Sequence, residues 1–242
     1  MKHIGCAIYG VFSYLVGLTG LVAFIFYMGS WDFLPLHINS KTADTSAIQA
    51  IGINIFILVV FGLHHSIAAR SSVKEKLTQL IPDSIERSTY VLLSGVFMFV
   101  ICLYWQPLAG TLWTINSTAI IWLLMAVHIL GWLVMVVATF EIDHFHLMGL
   151  KQSLRVATAE STALKEGYLY RIVRHPIQTG VLMGVWSTAD MSMTQFMLAA
   201  CMTIYIAIGL HYEEKSLIAH FGDAYVDYKK RVPAVIPFWP MK

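Results

Sequence analysis

Long uncharged runs alternate with charged loops along the first 140 residues, at positions 4–28, 48–69, 89–105 and 118–140, and none holds Asp, Glu, Lys or Arg. About 20 apolar residues of α-helix cross a bilayer core, so each run predicts a membrane helix, the third being the shortest. The first is too long for the apolar stretch of a signal peptide and reads as a retained helix. A fifth apolar region, residues 177–210, is too long for one span and too short for two full ones. Asp190 interrupts it, which predicts a hairpin of a shorter and a fuller helix turning around residues 190–192. The expected fold is all-α: a polytopic transmembrane bundle of five to six membrane helices, including a C-terminal helical hairpin, with polar segments on the cytoplasmic side. The whole chain, 1–242, reads as one domain, with residues 1–140 as a four-helix membrane core and 141–242 as polar segments plus the hairpin.

Composition sharpens this picture. Hydrophobic residues make up 57% of the chain and charged residues 12%, roughly half the charged share of a soluble domain, and the mean hydropathy is +0.68. A net charge of +2 leaves no basic footprint for nucleic acid. Of the 16 Lys and Arg residues, only Lys41 falls outside one alternate set of loops and termini. By the positive-inside rule both termini are expected in the cytoplasm. Cys6, Cys102 and Cys201 lie apart in apolar runs and predict neither a disulfide framework nor a metal site. No matched pair of broken helices marks an inverted-repeat transporter.

Candidate chemistry gathers in a few places. His64 and His65 end the second apolar run, and His128, Trp132, Met135 and Thr139 share a face of the fourth; such groups at membrane depth face a bundle interior or a wet cavity. For His128 the alternatives are a neutral imidazole bonded to a neighbouring helix and a functional one. Glu141, Asp143, His144 and His146 are dense, but residues two apart do not share a helical face, which disfavours a metal site. The histidine spacing makes no di-iron box, and transmembrane haem is no better supported. Arg174, His175 and Pro176 open a helix whose N-terminus favours an anion. Glu213 and Glu214 leave the last apolar run beside Leu210, where a partly buried carboxylate needs donors. Together they suit a zwitterionic ligand carrying a ribose. Residues 221–231 predict an amphipathic interfacial helix with Phe221, Tyr225 and Tyr228 on one face.

These motifs carry a resemblance. Arg174-His175-Pro176 with Gly180, Glu213-Glu214 with Leu217, Phe221-Gly222, Tyr225, Tyr228 and Val232-Pro233 resemble the integral-membrane methyltransferases of the isoprenylcysteine carboxyl methyltransferase group. His64-His65-Ser66 with Arg70, Glu86-Arg87-Ser88-Thr89-Tyr90, Trp105-Gln106-Pro107 and Asp143-His144-Phe145 are similar to one bacterial branch, the methanethiol S-methyltransferases. They are shared with NnrU-like proteins, a resemblance that allows a non-catalytic accessory role. The enzyme resemblance implies S-adenosylmethionine as cofactor and S-adenosylhomocysteine as its product, with no metal. Tyr168, Arg174, His175, Pro176, Gly180, Glu213 and Glu214 become cofactor residues. His144, Asp143, His64 and Arg87 become catalytic, and Arg70, Glu86 and Tyr90 lie at the substrate end. The implied acceptor is a small volatile thiol reached through the lipid bilayer, methanethiol going to dimethyl sulfide, in a cavity lined by Trp132, Tyr90 and Phe145. A larger lipophilic acceptor is the rival within the group. Gln178 departs from the group's pattern, which tends to place Tyr there.

Overall fold

The computed structural model describes residues 2–29, 31, 33–68, 70–156 and 164–238. In chain order its elements are α1 (Lys2–Met28), α2 (Ala47–Ile67), α3 (Ser71–Leu77), α4 (Asp83–Tyr104), β1 (Thr111–Thr114), α5 (Thr118–Ile142), α6 (His144–Leu147) and α7 (Leu150–Ser153). After a 3-10 turn at Tyr168–Arg171 come α8 (Pro176–Trp186), β2 (Asp190–Ser192), α9 (Met193–Phe221) and α10 (Asp223–Arg231). The protein is an all-α polytopic bundle. Among the described residues, α1, α2, α4, α5 and α9 are long and apolar enough to cross a membrane. At 11 residues and 1.5 Å per residue, α8 reaches about half the hydrocarbon thickness, so the fifth apolar region divides into a short helix and a full one. Exposed Phe12, Phe56, Trp122, Leu123 and Leu133 form the kind of apolar surface that lipid covers.

The chain forms two compact units: Met1–Leu112, His144–Thr158 and Ser192–Gln195 in the first, and Trp113–Asp143, Ala159–Met191 and Phe196–Lys242 in the second. In the first, α1 lies along α4 at a separation only small residues permit. A Cβ on Gly20 would stand 2.6 Å from the Gly95 carbonyl oxygen, and one on Gly95 would stand 2.7 Å from the Gly17 Cα. With no hydrophobic force between helices in lipid, such close backbone packing drives association. The buried Asn54 carboxamide ties α2 to the segment after α4, accepting from the Gln106 N–H at 2.7 Å and donating to its carbonyl at 2.9 Å.

α4 starts at Asp83, six residues before the predicted span. Pro82 precedes it, and Asp83 and Glu86 occupy its first turn, where carboxylates meet the positive end of the helix dipole. Glu86 and Arg87 are therefore helical residues at the foot of α4. The predicted turn at 190–192 is an extended segment, with the Ala189 carbonyl accepting the Ile115 N–H at 3.0 Å within the second unit.

In the second unit α5 packs on α8 by the same device, a Cβ on Gly131 falling 2.7 Å from the Gly180 carbonyl oxygen. His128 settles there as a bonded core histidine. Its Nδ1 lies 2.7 Å from the Gly184 carbonyl oxygen, and the Trp132 indole N–H donates to its Nε2 at 3.1 Å. A carbonyl can only accept and an indole N–H can only donate, so the imidazole is neutral with its proton on Nδ1.

Candidate functional site

Two polar clusters arise, one in each unit. In the second, Pro176 is the first residue of α8 and His175 its N-cap, which plants Arg174 and His175 at a helix start. The Arg174 guanidinium is heavily engaged. Its Nε donates to Glu214 Oε1 at 2.9 Å, a terminal nitrogen pairs with the same oxygen, and the other donates to the carbonyls of Lys229, at 3.1 Å, and Val232. Glu214 also takes Lys229 Nζ at 2.6 Å and faces His175 Nε2 at 3.3 Å. The amides at the α8 start are occupied as well: Arg174 N–H donates to the Pro233 carbonyl at 2.8 Å and His175 N–H to that of Ala234 at 3.0 Å. The Thr179 hydroxyl donates to the Val235 carbonyl at 2.7 Å. Residues 232–235 thus run as a strap across the helix N-terminus where a bound anion was expected.

The two glutamates therefore differ. The Glu214 side chain is 13% exposed and surrounded by cations, whereas that of Glu213 is 47% exposed. Glu213 accepts from the Gln178 carboxamide at 3.3 Å and lies 3.8 Å from His175 Nδ1. Gln178, the departure from the group's pattern, is thus a contact of the glutamate that keeps acceptor capacity. Gly180 is a packing glycine at the α5 crossing, Pro176 is buried, and Tyr168 is 84% exposed at a positive φ of 23°. On α10, Tyr225 and Tyr228 are buried with Val232 against Leu217 and Phe221. Burial pushes the Tyr225 phenol up to about 12 and also raises those of Tyr170 and Tyr228. These hydroxyls stay protonated at neutral pH, and that of Tyr228 donates to the Tyr170 carbonyl at 2.5 Å.

In the first unit, Tyr90 of α4 is the hub. His64 stacks on its ring at 5.4 Å and 26°, and the Arg87 guanidinium lies over it, 4.6 Å from the centroid. His65 Nδ1 shares a 2.8 Å hydrogen bond with its hydroxyl. Arg87 Nε also donates to the Leu147 carbonyl at 2.7 Å, tying α4 to the turn that carries His144. That histidine is buried, and its Nε2 lies 3.2 Å from the Tyr14 hydroxyl of α1. Glu86 is buried 3.9 Å from Lys74 Nζ. Arg70 is exposed and serves as the N-cap residue of α3. Asp143 ends α5 at φ 150°, and in the second unit Trp132 is spent on His128. The expected cavity lining therefore reduces in this unit to buried Tyr90 and half-exposed Phe145. Among the described residues, no group of three or more His, Cys, Asp or Glu side chains is placed to hold a metal.

No family model matches the chain, and no solved structure does. Curated relatives do. Methanethiol S-methyltransferase 2 of Bradyrhizobium diazoefficiens is 35% identical over 237 residues, covering 95% of this chain and 89% of that protein. Methanethiol S-methyltransferase of Mycobacterium tuberculosis is 36% identical over 243 residues, covering 99% and 98%. The chain belongs to the methanethiol S-methyltransferase family. A more distant likeness, 28% over 186 residues, is to Nurim of Xenopus laevis. In this member of the methanethiol S-methyltransferases, Tyr14, Ser94 and Lys229 contact site residues without having stood out in the sequence as candidates. Tyr14 is an isolated polar ring in an apolar helix, and Lys229 sits in a basic run that reads as membrane anchoring.

Proposed function

We propose that the chain transfers a methyl group from S-adenosylmethionine to methanethiol, giving dimethyl sulfide and S-adenosylhomocysteine. The observation that carries this reading is the likeness to methanethiol S-methyltransferases along almost the entire length of both chains. The cofactor supplies an electrophilic sulfonium methyl, which a thiolate attacks in line.

The residues of the second unit fit such a ligand. Glu213 offers a half-exposed carboxylate suited to ribose hydroxyls, oriented by Gln178 and His175. Arg174, Glu214 and Lys229 build the rigid wall behind it. In the first unit, His144 or His64 takes the thiol proton. A free cysteine-like thiol has a pKa of about 8.5, so a base raises the thiolate fraction at neutral pH. Arg87 supplies positive charge, with Tyr90, Glu86 and Arg70 at the substrate end and Asp143 setting the approach of His144. Both termini are assigned to the cytoplasm of a bacterial inner membrane. The second-helix and fourth-helix motifs shared with NnrU-like proteins leave as second reading an accessory membrane protein without methyl transfer.

Headspace gas chromatography of the purified protein with S-adenosylmethionine and methanethiol tests this. Dimethyl sulfide above a protein-free control is expected. Its absence with S-adenosylhomocysteine binding intact moves the acceptor to a larger lipophilic molecule, and absence of both leaves the accessory reading.

A further inference from the structure

His144 stands on weak local support. Its own helix, α6, is a single turn of four residues. The residue before it, Asp143, has a φ of 150°, in a region side chain-bearing residues rarely adopt. Neither feature fixes an imidazole ring. The ring is nonetheless 7% exposed, and a buried imidazole needs polar partners.

Tyr14 supplies one. Its hydroxyl lies 3.2 Å from His144 Nε2, and the two rings meet edge-on at 5.8 Å and 88°. Phe145 stands edge-on to the same imidazole at 5.4 Å. The position of Tyr14 is itself set by packing. Gly10 and Gly17 lie four residues before it and three after, on neighbouring turns of α1. A Cβ at Gly10 would overlap the Ser153 side chain, and one at Gly17 would overlap Val91. Tyr9 adds a 3.0 Å hydrogen bond to Thr89. α1 is therefore held close enough to α4 and α7 to fix the phenol where the imidazole needs it.

We propose that Tyr14 is the positioning residue of His144, its hydroxyl accepting from the Nε2–H so that the ring plane is set and Nδ1 is left to take the proton before the thiol arrives. This rests on the reading of His144 as the proton acceptor. The thiol proton goes to His144, and the sulfur lone pair forms the new carbon–sulfur bond. The bond between the methyl and the sulfonium sulfur breaks at the same time and leaves its electron pair on the S-adenosylhomocysteine sulfur. The imidazolium later releases its proton to water. Tyr14 itself transfers nothing.

The test compares the unaltered enzyme with Tyr14→Phe, His144→Gln and the double variant, by headspace dimethyl sulfide and S-adenosylhomocysteine affinity. Tyr14→Phe is expected to lower kcat about tenfold, a part of the 10²–10⁴ a general base contributes, with KM for methanethiol and the affinity unchanged. In the double variant the Tyr14 change adds nothing. An unchanged kcat in Tyr14→Phe, or an equal further drop in the His144→Gln background, overturns the proposal while leaving the base assignment standing. A normal kcat in His144→Gln removes the base assignment and the proposal with it. Should Tyr14→Phe not fold, ¹⁵N-histidine NMR of the unaltered enzyme decides. The tautomer protonated on Nε2 is expected at His144, and the Nδ1-protonated form or a rapidly exchanging mixture overturns the proposal.

Discussion

Adjacent glutamates in one helix have been given different work by one helical step. Glu214 faces Arg174, Lys229 and the His175 imidazole, whereas Glu213, half exposed, faces the Gln178 carboxamide and the other edge of the same imidazole. Glu214→Gln removes the charge that Arg174 and Lys229 share, and breaking such a pair leaves uncompensated charge. A fall of several degrees in melting temperature is expected, together with loss of S-adenosylhomocysteine binding. Glu213→Gln is expected to leave the melting temperature within a degree or two. It should weaken binding at least tenfold, since a hydrogen bond to a charged group contributes about 1.5–3 kcal/mol. Calorimetry and thermal melts on the two variants check both halves, and identical behaviour would refute the division of roles.

At the scale of elements, the glycine crossing of α1 and α4 predicts a sharp contrast between two outwardly similar changes. Gly95→Leu drives a side chain into the Gly17 backbone, whereas a Cβ at Gly52 of α2 meets nothing within 4 Å. Overpacking costs about 1–3 kcal/mol where neighbours can yield, and backbone yields less. Gly95→Leu is therefore expected to abolish a cooperative melt and Gly52→Leu to leave it in place. Helix positions were legible in the sequence because hydropathy over twenty residues is set by the bilayer. The foot of α4 was not, since Asp83, Glu86 and Arg87 make it read as a loop, whereas the two carboxylates lie in the first turn of the helix and Arg87 reaches the Leu147 carbonyl. In the site, His175, Glu213 and Glu214 declared themselves as polar groups against apolar neighbours. Their pairing did not, because which carboxylate meets Arg174 depends on the rotation of α9. Carbonyl partners such as those of residues 232–234 leave no mark in side-chain chemistry at all.

For the molecule as a whole, the charge asymmetry predicts which loops meet which compartment. In a background free of Cys6, Cys102 and Cys201, Thr42→Cys is expected to react with a membrane-impermeant maleimide on intact cells. Arg155→Cys should react only after permeabilisation. Both positions are exposed, so a reversed pattern would invert the orientation and not merely report burial.

The strap over the start of α8 also bears on biosynthesis. Arg174 and Glu214 reach the membrane as α8 and α9 insert, but Lys229 and the carbonyls of Val232 and Pro233 that complete their bonding leave the ribosome afterwards. Until then the nascent protein holds an ion pair with half its partners missing. A premature stop before Val232 would preserve every membrane helix and still yield a product that quality-control proteases recognise, because a ribosome releases the keystone of this cluster last.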